Sequence, residues 1–188
     1  MVSFSRSELD AFRDTEVPDL YGEDLRLLFV GINPGLWTAA VQTHFAHPTN
    51  RFYPALHAAG VITTPIDPVT GMTEADREHF TSRGLGLTNL VRRATARADE
   101  LTAAELREGG VRLHAFVSEH RPRVVAVAGI TAYRSAFKVP AAKPGRQPGV
   151  FAGATLWVVP NPSGLNAHET AASLALAYAE PAREAGIV

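Results

Sequence analysis

The chain of 188 residues contains no cysteine, and this absence removes several kinds of chemistry at once. Without a thiol there is no disulfide framework, no thiolate zinc site and no cysteine nucleophile. The sequence also lacks an apolar run of about 18 residues, the length that a membrane-spanning helix needs. Its first residues lack the apolar centre of a signal peptide. We therefore expect a cytoplasmic protein that does not contact a membrane.

The chain also has no excess of positive charge. The 18 Lys and Arg residues are outnumbered by 19 Asp and Glu residues, which gives a net charge of −1. A protein that binds nucleic acid strongly through its overall charge would be basic, so only a small, local phosphate-binding surface remains open. The chain has no internal repeat, linker or low-complexity tract. We therefore expect a monomer with one domain over residues 1–188, of which residues 1–23 form an N-terminal lead-in.

The most informative segment is an apolar run over residues 25–30 that ends in the turn Gly31-Ile32-Asn33-Pro34-Gly35. The run has the length and the β-branched and aromatic content of a buried strand. Proline fixes its own φ and disfavours the helical region for the residue before it, so Asn33 is held in an extended conformation. Open α/β sheets bind ligands at the carboxyl ends of their strands, which places this amide at a candidate site.

The same pattern recurs near the other end of the chain. A second strand-like run over residues 156–160 leads into Asn161-Pro162-Ser163-Gly164-Leu165. One Asn-Pro turn would most often be an ordinary strand-ending turn. Two strands that each end in such a turn would place two amides at the same edge of one sheet, which favours a functional site.

The remaining segments alternate between strand-like and helix-like patterns. Strands are predicted at residues 85–91 and 124–128, and helices at residues 51–59, 74–82, 102–120, 131–137 and 169–185. Residues 36–48 are predicted to form a long loop. The alternation predicts an α/β protein with a parallel sheet that is covered by helices on both faces.

Four segments resemble, in their order and spacing, the mismatch-specific uracil-DNA glycosylase and thymine-DNA glycosylase family of the uracil-DNA glycosylase superfamily. They are Gly31–Leu36, Phe45–Phe52, Gly84–Val91 and Asn161–Leu165. The resemblance extends from near Val17 to near Glu180. It implies a uracil-DNA glycosylase-like fold, a three-layer α/β/α sandwich around a short, mainly parallel central sheet.

The resemblance also implies an activity. A protein of this family would flip uracil out of DNA, from a G:U mismatch or another context, and hydrolyse its N-glycosidic bond. It would be monofunctional, would need no cofactor and no metal, and would leave an abasic site for downstream enzymes of base excision repair. Asn33 would be the catalytic residue that holds the attacking water. Because a neutral amide cannot deprotonate water at pH 7, the enzyme should be slow compared with one that carries a carboxylate there.

The resemblance assigns roles to further residues. Phe45 would stack on the flipped base, Asn89 would contact it, and Asn161 would reach the carbonyl edge of uracil. Thr38 would lie beside the position of the thymine methyl group and favour uracil over thymine. Leu165 would be the wedge that fills the gap left by the flipped nucleotide. The implied base pocket consists of Gly31, Ile32, Thr38, Phe45, Asn89, Thr95 and Asn161, and the implied wedge and phosphate contacts are Ser163, Gly164 and Leu165.

Two places depart from the family pattern. Ala167 stands where family members often insert an arginine, so recognition of the opposite base should be weaker. Arg92 and Arg93 stand where an acidic residue is expected, and they would either bind phosphates or belong to a solvated charged face. The histidines give no metal signature, because His44 and His47 have no third ligand in a recognised spacing.

Two other interpretations stay open. The chain could be a glycosylase of the same superfamily that removes another deaminated base or mismatched thymine. It could also be a nucleotide- or nucleic-acid-binding module without activity, although the intact turns at Asn33 and Asn161 disfavour this. Cleavage of uracil-containing DNA would distinguish an enzyme from a binding module.

Overall fold

A five-stranded sheet forms the centre of the computed structural model, which describes residues 3–188. The strands are β1 (Leu27–Gly31), β2 (Leu85–Asn89), β3 (Val124–Ala128), β4 (Gly145–Arg146) and β5 (Thr155–Val159). Their order in the sheet is β2-β1-β3-β5-β4. Neighbouring strands are parallel except β4 and β5, which are antiparallel. The prediction of a short, mainly parallel sheet is confirmed.

Seven helices accompany the strands within residues 3–188. They are α1 (Arg6–Asp10), α2 (Leu36–Val41), α3 (Phe52–Ala58), α4 (Glu74–Ser82), α5 (Ala103–His120), α6 (Ile130–Phe137) and α7 (Ala171–Glu184). Four of them, α1, α4, α5 and α7, begin at a side-chain cap. Thr102 and Glu105 form a reciprocal capping box at the start of α5, as the sequence of this segment suggests. A short 3₁₀ turn at Ala98–Glu100 precedes it.

Different helices cover the two faces of the sheet. Side chains alternate along β1, so that Leu27 and Phe29 enter one core while Leu28 and Val30 enter the other. The first core contains buried residues of α3, α4 and α7, and the second contains buried residues of α5 and α6. Because both faces of β1 and β3 are buried, these two strands are apolar along their whole length. These layers confirm the predicted α/β/α sandwich.

The prediction of a loop over residues 36–48 is wrong for its first half, where α2 lies. The N-cap of α2 is Gly35, which offers no side-chain hydrogen bond, and the helix contains aromatic and β-branched residues of modest helix propensity. Tertiary contacts stabilise it instead. Trp37 Nε1 donates to the carbonyl oxygen of Val69 at 3.0 Å, and the inner side of the helix is buried.

The N-terminal lead-in packs along the edge of the sheet. Leu20 exchanges two backbone hydrogen bonds with Leu87 of β2, at 2.9 and 2.7 Å, so the lead-in covers the open edge of that strand. Within residues 3–188, no helix combines the length and the hydropathy that crossing a bilayer requires.

Candidate active site

The carboxyl ends of the parallel strands form one edge of the sheet, and the motif residues lie along it. Gly31 at the end of β1 pairs in register with Asn89 at the end of β2. Gly129 directly follows β3, and a Cβ atom placed on it would lie 3.3 Å from the side chain of Ile32 and 3.9 Å from that of Asn161. The first and last motifs therefore meet at the edge where open α/β sheets bind ligands.

The amide nitrogen of Asn33 fixes the orientation of this side chain. It donates to Thr95 Oγ1 at 2.8 Å and to the carbonyl oxygens of Arg93 and Pro34 at 3.1 and 3.2 Å. Thr95 Oγ1 donates its own proton to the carbonyl oxygen of Arg97 at 2.7 Å, so it can only accept from Asn33. Among residues 3–188, no donor bonds to Asn33 Oδ1. The half-buried amide thus presents an oriented acceptor.

Two threonines predicted for the base pocket are buried and use their hydroxyls within the protein. Thr95 is 1% exposed and supports Asn33, so its hydroxyl is not free to bind a base. Thr38 is 5% exposed, and its Oγ1 accepts from the amide nitrogen of Ala46 at 3.3 Å. This bond braces the segment that carries Phe45. The role of Thr38 as a gate against thymine stays a prediction.

Three other predicted pocket residues adjoin one another. A Cβ atom on Gly31 would collide with Asn89 Oδ1 and would lie 3.2 Å from Phe45 Cζ. Only glycine therefore allows the amide and the aromatic ring to approach the end of β1 this closely. Gly31, Phe45 and Asn89 form one wall of the candidate site.

The Phe45 ring is held in a defined plane. Its centroid is 4.1 Å from that of Phe52, with an interplanar angle of 21°. Its backbone has φ of 57°, in the left-handed region that costs energy for a residue other than glycine. The ring is half-buried, so packing on Phe52 fixes it while part of it remains accessible. A strained, oriented aromatic residue at a sheet edge fits the predicted stacking role, which stays a prediction.

His44 is a site residue that sequence reasoning missed, since we considered it only as a metal ligand. Its Nε2 lies 2.9 Å from the carbonyl oxygen of Pro18, and its Nδ1 lies 3.0 Å from Asn89 Nδ2. Because a carbonyl oxygen only accepts, Nε2 carries the proton and Nδ1 accepts from Asn89. Burial also lowers the pKa of the His44 imidazole, which favours this neutral form. The contact directs Asn89 Nδ2 away from Gly31 and Oδ1 toward it.

Asn161 is held through the oxygen of its side-chain amide, whereas Asn33 is held through the nitrogen. Its Oδ1 accepts from the backbone nitrogen of Ser163 at 3.0 Å, as in an Asx turn. Its carbonyl oxygen accepts from Asn166 Nδ2 at 3.0 Å. Among residues 3–188, no acceptor bonds to Asn161 Nδ2. The half-buried amide therefore presents a donor, where Asn33 presents an acceptor.

Residues 162–169, which we call the wedge loop, project beside these amides. Leu165 is 92% exposed, a position from which its side chain can reach a partner. A Cβ atom on Gly164 would collide with the side chain of Thr49, so the absence of a side chain allows the loop to lie against this neighbour. The Ser163 hydroxyl accepts from the backbone nitrogen of Leu165 at 3.3 Å.

Arg51 is the second residue that sequence reasoning missed. Its guanidinium group donates to the carbonyl oxygens of Ser163 at 2.6 Å, Asn166 at 2.8 Å and Glu169. Its backbone nitrogen donates to the carbonyl oxygen of Pro162 at 3.0 Å. The acceptors are backbone atoms more than a hundred residues away, so the sequence carries no local signal for these contacts.

The two arginines of the middle motif are paired with acidic residues. Arg92 Nη2 lies 2.9 Å from Asp19 Oδ2, and Arg93 Nε lies 2.5 Å from Glu105 Oε1. Hydrogen bonds from Arg93 and then from the backbone and side chain of Thr102 lower the pKa of the Glu105 carboxyl group to about 2. Of the two predicted roles, the pairing favours a charged surface in which the arginines are already neutralised.

Within residues 3–188, no three His, Asp or Glu side chains are grouped as metal ligands. A surface groove lies between α5 and α6, next to Val111, His114, Phe137 and Phe151, and contains none of the motif residues. The motif geometry places the candidate site at the sheet edge.

The protein is therefore an α/β/α sandwich that presents two oriented amides and a held aromatic ring at the carboxyl edge of its sheet, where open α/β sheets bind ligands. The model of the uracil DNA glycosylase superfamily matches residues 18–181. The chain therefore belongs to the uracil DNA glycosylase superfamily, which makes it a DNA glycosylase with DNA as its partner.

The fold is also similar to a solved structure. The solution structure of a protein from Methanosarcina acetivorans, proposed to be a uracil DNA glycosylase, superimposes with a TM-score of 0.59 at 16% sequence identity. The match covers 85% of this chain and 92% of the other. The similarity supports the uracil-DNA glycosylase-like fold assigned from the sheet and its two helical layers.

Proposed function

We propose that the chain is a monofunctional uracil-DNA glycosylase of the mismatch-specific uracil- and thymine-DNA glycosylase family. It would extrude uracil from DNA, from a G:U mismatch or another context, and hydrolyse the N-glycosidic bond. The observation that carries this proposal is the fixed orientation of Asn33 at the sheet edge that Asn89 also occupies. The product, an abasic site in DNA, would pass to downstream repair enzymes.

Asn33 supplies the nucleophile in this proposal. Its Oδ1, left without a donor from residues 3–188, accepts a hydrogen bond from a water molecule and orients it toward the anomeric carbon of the deoxyribose. An amide does not take the proton, so the uracil anion must leave early, with positive charge developing on the sugar. Hydrogen bonds to the departing base then carry much of the stabilisation of the transition state.

Asn89 and Asn161 recognise the base in this proposal. Asn89 Oδ1, oriented by His44, accepts from uracil N3–H, and Asn161 Nδ2 donates to a uracil carbonyl oxygen. Cytosine presents a lone pair at N3 and an amino group in place of one carbonyl. With cytosine, two acceptors would face each other at N3, and two donors would face each other where the amino group replaces the carbonyl bonded by Asn161. A site built on such hydrogen bonds strongly rejects a base that cannot make them. Phe45 contributes a stacking surface for the ring.

The wedge loop opens the duplex in this proposal. Leu165 enters the base stack and fills the gap left by the flipped nucleotide, which offsets part of an unstacking cost of a few kcal/mol. Ser163 and the backbone of Gly164 contact phosphate oxygens, a use of small polar side chains and amides that is common at DNA backbones. Ala167 adds no group that reads the opposite base.

One observation also favours a second candidate substrate. Hypoxanthine, the deamination product of adenine, carries an N–H group next to a carbonyl, as uracil does. The acceptor on Asn89 and the donor on Asn161 suit both bases. A superfamily glycosylase for a deaminated purine is therefore the alternative to a uracil enzyme.

A panel of oligonucleotides, each with one lesion, tests these assignments. Uracil opposite guanine, uracil opposite adenine, single-stranded uracil, hypoxanthine and mismatched thymine would be incubated with excess protein and then treated with alkali. We expect strand breaks at uracil, and none in a control oligonucleotide that carries cytosine at the same position. Asn33→Ala is the control for contaminating activity. Breaks only at hypoxanthine would support the alternative, and no breaks at any uracil would overturn the proposal.

A further inference from the structure

The wedge loop has no regular secondary structure and yet is extensively hydrogen-bonded. It joins β5 to α7, and its exposed tip carries Leu165. Bonds inside the loop, such as Asn166 N to the Ser163 carbonyl oxygen at 2.9 Å, fold the tip but do not attach it to the body of the protein. The attachment comes from a different part of the chain.

Arg51 provides that attachment. Its side chain reaches three carbonyl oxygens, those of Ser163, Asn166 and Glu169, which lie before, after and well beyond the tip of the loop. Its backbone nitrogen holds a fourth, that of Pro162. A planar guanidinium group has five donors in a fixed fork and can bridge several acceptors, whereas an ammonium group is a single point of charge.

The same short segment also contacts the loop from a second side and belongs to the base-stacking motif. Thr49 packs against Gly164, and Phe52 carries the ring on which Phe45 stacks. The segment from Thr49 to Phe52 thus joins the surface proposed to receive the base to the loop proposed to open the duplex.

We propose that Arg51 is a positioning residue that holds Leu165 ready for insertion into DNA, a role that rests on the proposed glycosylase function. Arg51 touches neither base nor water in this role. It removes the freedom of the loop before DNA binds, so that less conformational entropy is lost on insertion. Excision from a base-paired duplex needs this help, while excision from a single strand does not.

The test compares two substrates of identical sequence, one duplex and one single-stranded, each with one uracil. Single-turnover rates would be measured for wild type, Arg51→Gln and Arg51→Lys. We expect the duplex rate to fall roughly tenfold in both variants, with the single-strand rate changed by less than about threefold. Arg51→Lys keeps the positive charge, so a duplex-specific loss in this variant assigns the effect to the fork and not to attraction of phosphates.

A matched control is Arg83→Gln. Arg83 also binds backbone carbonyl oxygens, those of Val61 at 2.7 Å and Gly60 at 3.4 Å. It lies before the amino end of β2, however, and so at the edge of the sheet opposite the candidate site. This variant should lose stability without changing the ratio of duplex to single-strand rates. General damage to the fold would lower both rates together.

A second experiment asks whether Arg51 acts through Leu165. In a Leu165→Ala background, adding Arg51→Gln should cause no further duplex-specific loss, because the group that the loop positions is already gone. An additive loss, or an unchanged duplex-to-single-strand ratio in both Arg51 variants, would overturn this inference alone. Wild-type protein inactive on both substrates would instead overturn the proposed function, and this inference with it.

Discussion

The two Asn-Pro turns at the edge of the sheet use opposite ends of their amides. Asn33 directs Nδ2 toward three oxygen atoms of the protein and presents Oδ1. Asn161 directs Oδ1 toward the backbone nitrogen of Ser163 and presents Nδ2. The same dipeptide at the ends of two parallel strands therefore offers an acceptor at one turn and a donor at the other.

The difference has a physical origin in what each turn contacts. The Asn33 amide meets oxygen atoms of Arg93 and Thr95, about sixty residues away along the chain. The Asn161 amide bonds two residues ahead within its own turn. A distant segment fixes the first amide and the local turn fixes the second, so the dipeptide alone does not determine which atom faces a ligand.

The largest effect is expected at Asn33, because only this turn presents the group proposed to hold water. Asn33→Ala should lower single-turnover excision of uracil by about 10²-fold or more, the scale of losing one positioned group in the transition state. Binding of uracil-containing DNA should stay close to wild type. Excision within a factor of about two of wild type would remove Asn33 from the mechanism.

Exchange of each asparagine for aspartate sharpens the comparison. Asn33→Asp replaces the donor Nδ2 by a carboxylate oxygen that would face three oxygen atoms of the protein, so we expect a lower Tm. We also expect no gain in the excision rate, although a carboxylate is a stronger base than an amide. Asn161→Asp keeps the acceptor for Ser163, so its Tm should stay near wild type while excision falls through loss of the donor. Calorimetry on both variants measures the difference. Equal changes in Tm would contradict the opposite use of the two amides.

The next effect concerns Thr38, in the helix that follows the Asn33 turn. If its methyl group excludes the thymine methyl, Thr38→Ala should raise thymine excision relative to uracil by roughly 10- to 200-fold, the range for one methyl overlap of about 1–3 kcal/mol. The ratio of duplex to single-strand rates should not change, since this side chain lies in the region proposed for base selection.

Two further variants separate the methyl group of Thr38 from its hydroxyl. Thr38→Ser keeps the acceptor for the Ala46 amide and removes the methyl, so it should accept thymine as Thr38→Ala does. Thr38→Val keeps a methyl and loses the acceptor, so it should still reject thymine. An unchanged uracil-to-thymine ratio in the serine variant would show that the hydroxyl or the backbone, and not the methyl, sets the preference.

The fold was predictable because its signals are local. The runs that form β1 and β5 are apolar over both faces, and each is ended by an Asn-Pro turn, so neither strand depended on distant information. Helix α2 was not predictable in this way. It lacks a side-chain cap and depends on contacts such as that of Trp37 with Val69.

The sequence indicated which residues lie together at the candidate site better than it indicated which residues hold them in place. The family resemblance assigned Gly31, Phe45 and Asn89 to the base pocket, and in the structure these three residues are neighbours, while their role stays a prediction. His44 and Arg51 were missed because each acts through hydrogen bonds to atoms that the fold alone brings near. The partners of these two residues are backbone atoms and a distant side chain, so a single sequence does not show what each of them orients.

A smaller effect is expected at the second turn. Leu165→Ala should lower excision from a duplex by roughly tenfold and excision from a single strand much less, because only a duplex has a stacking gap to fill. The uracil-to-thymine ratio should not change, which is the reverse of the expectation for Thr38. Single-turnover rates on paired substrates test this, and equal losses on both substrates would make Leu165 an ordinary loop residue.

The smallest effect is a pH dependence of stability at His44, which orients Asn89 on the acceptor side of the site. Burial lowers the pKa of this imidazole and outweighs its hydrogen bond to Pro18 and the nearby Asp19 carboxylate, which raise it. The unfolded chain therefore binds a proton first as pH falls. The stabilising contribution is complete above the ordinary histidine pKa of 6.5 and is lost below it, by at most about 1.4 kcal/mol per pH unit.

His44→Gln, which can still donate and accept a hydrogen bond but does not titrate, should flatten the dependence of the unfolding free energy on pH below 6.5. Urea unfolding at several pH values measures it, with the exposed His57→Gln as control. Parallel curves for wild type and His44→Gln would mean that His44 does not remain neutral in the folded protein.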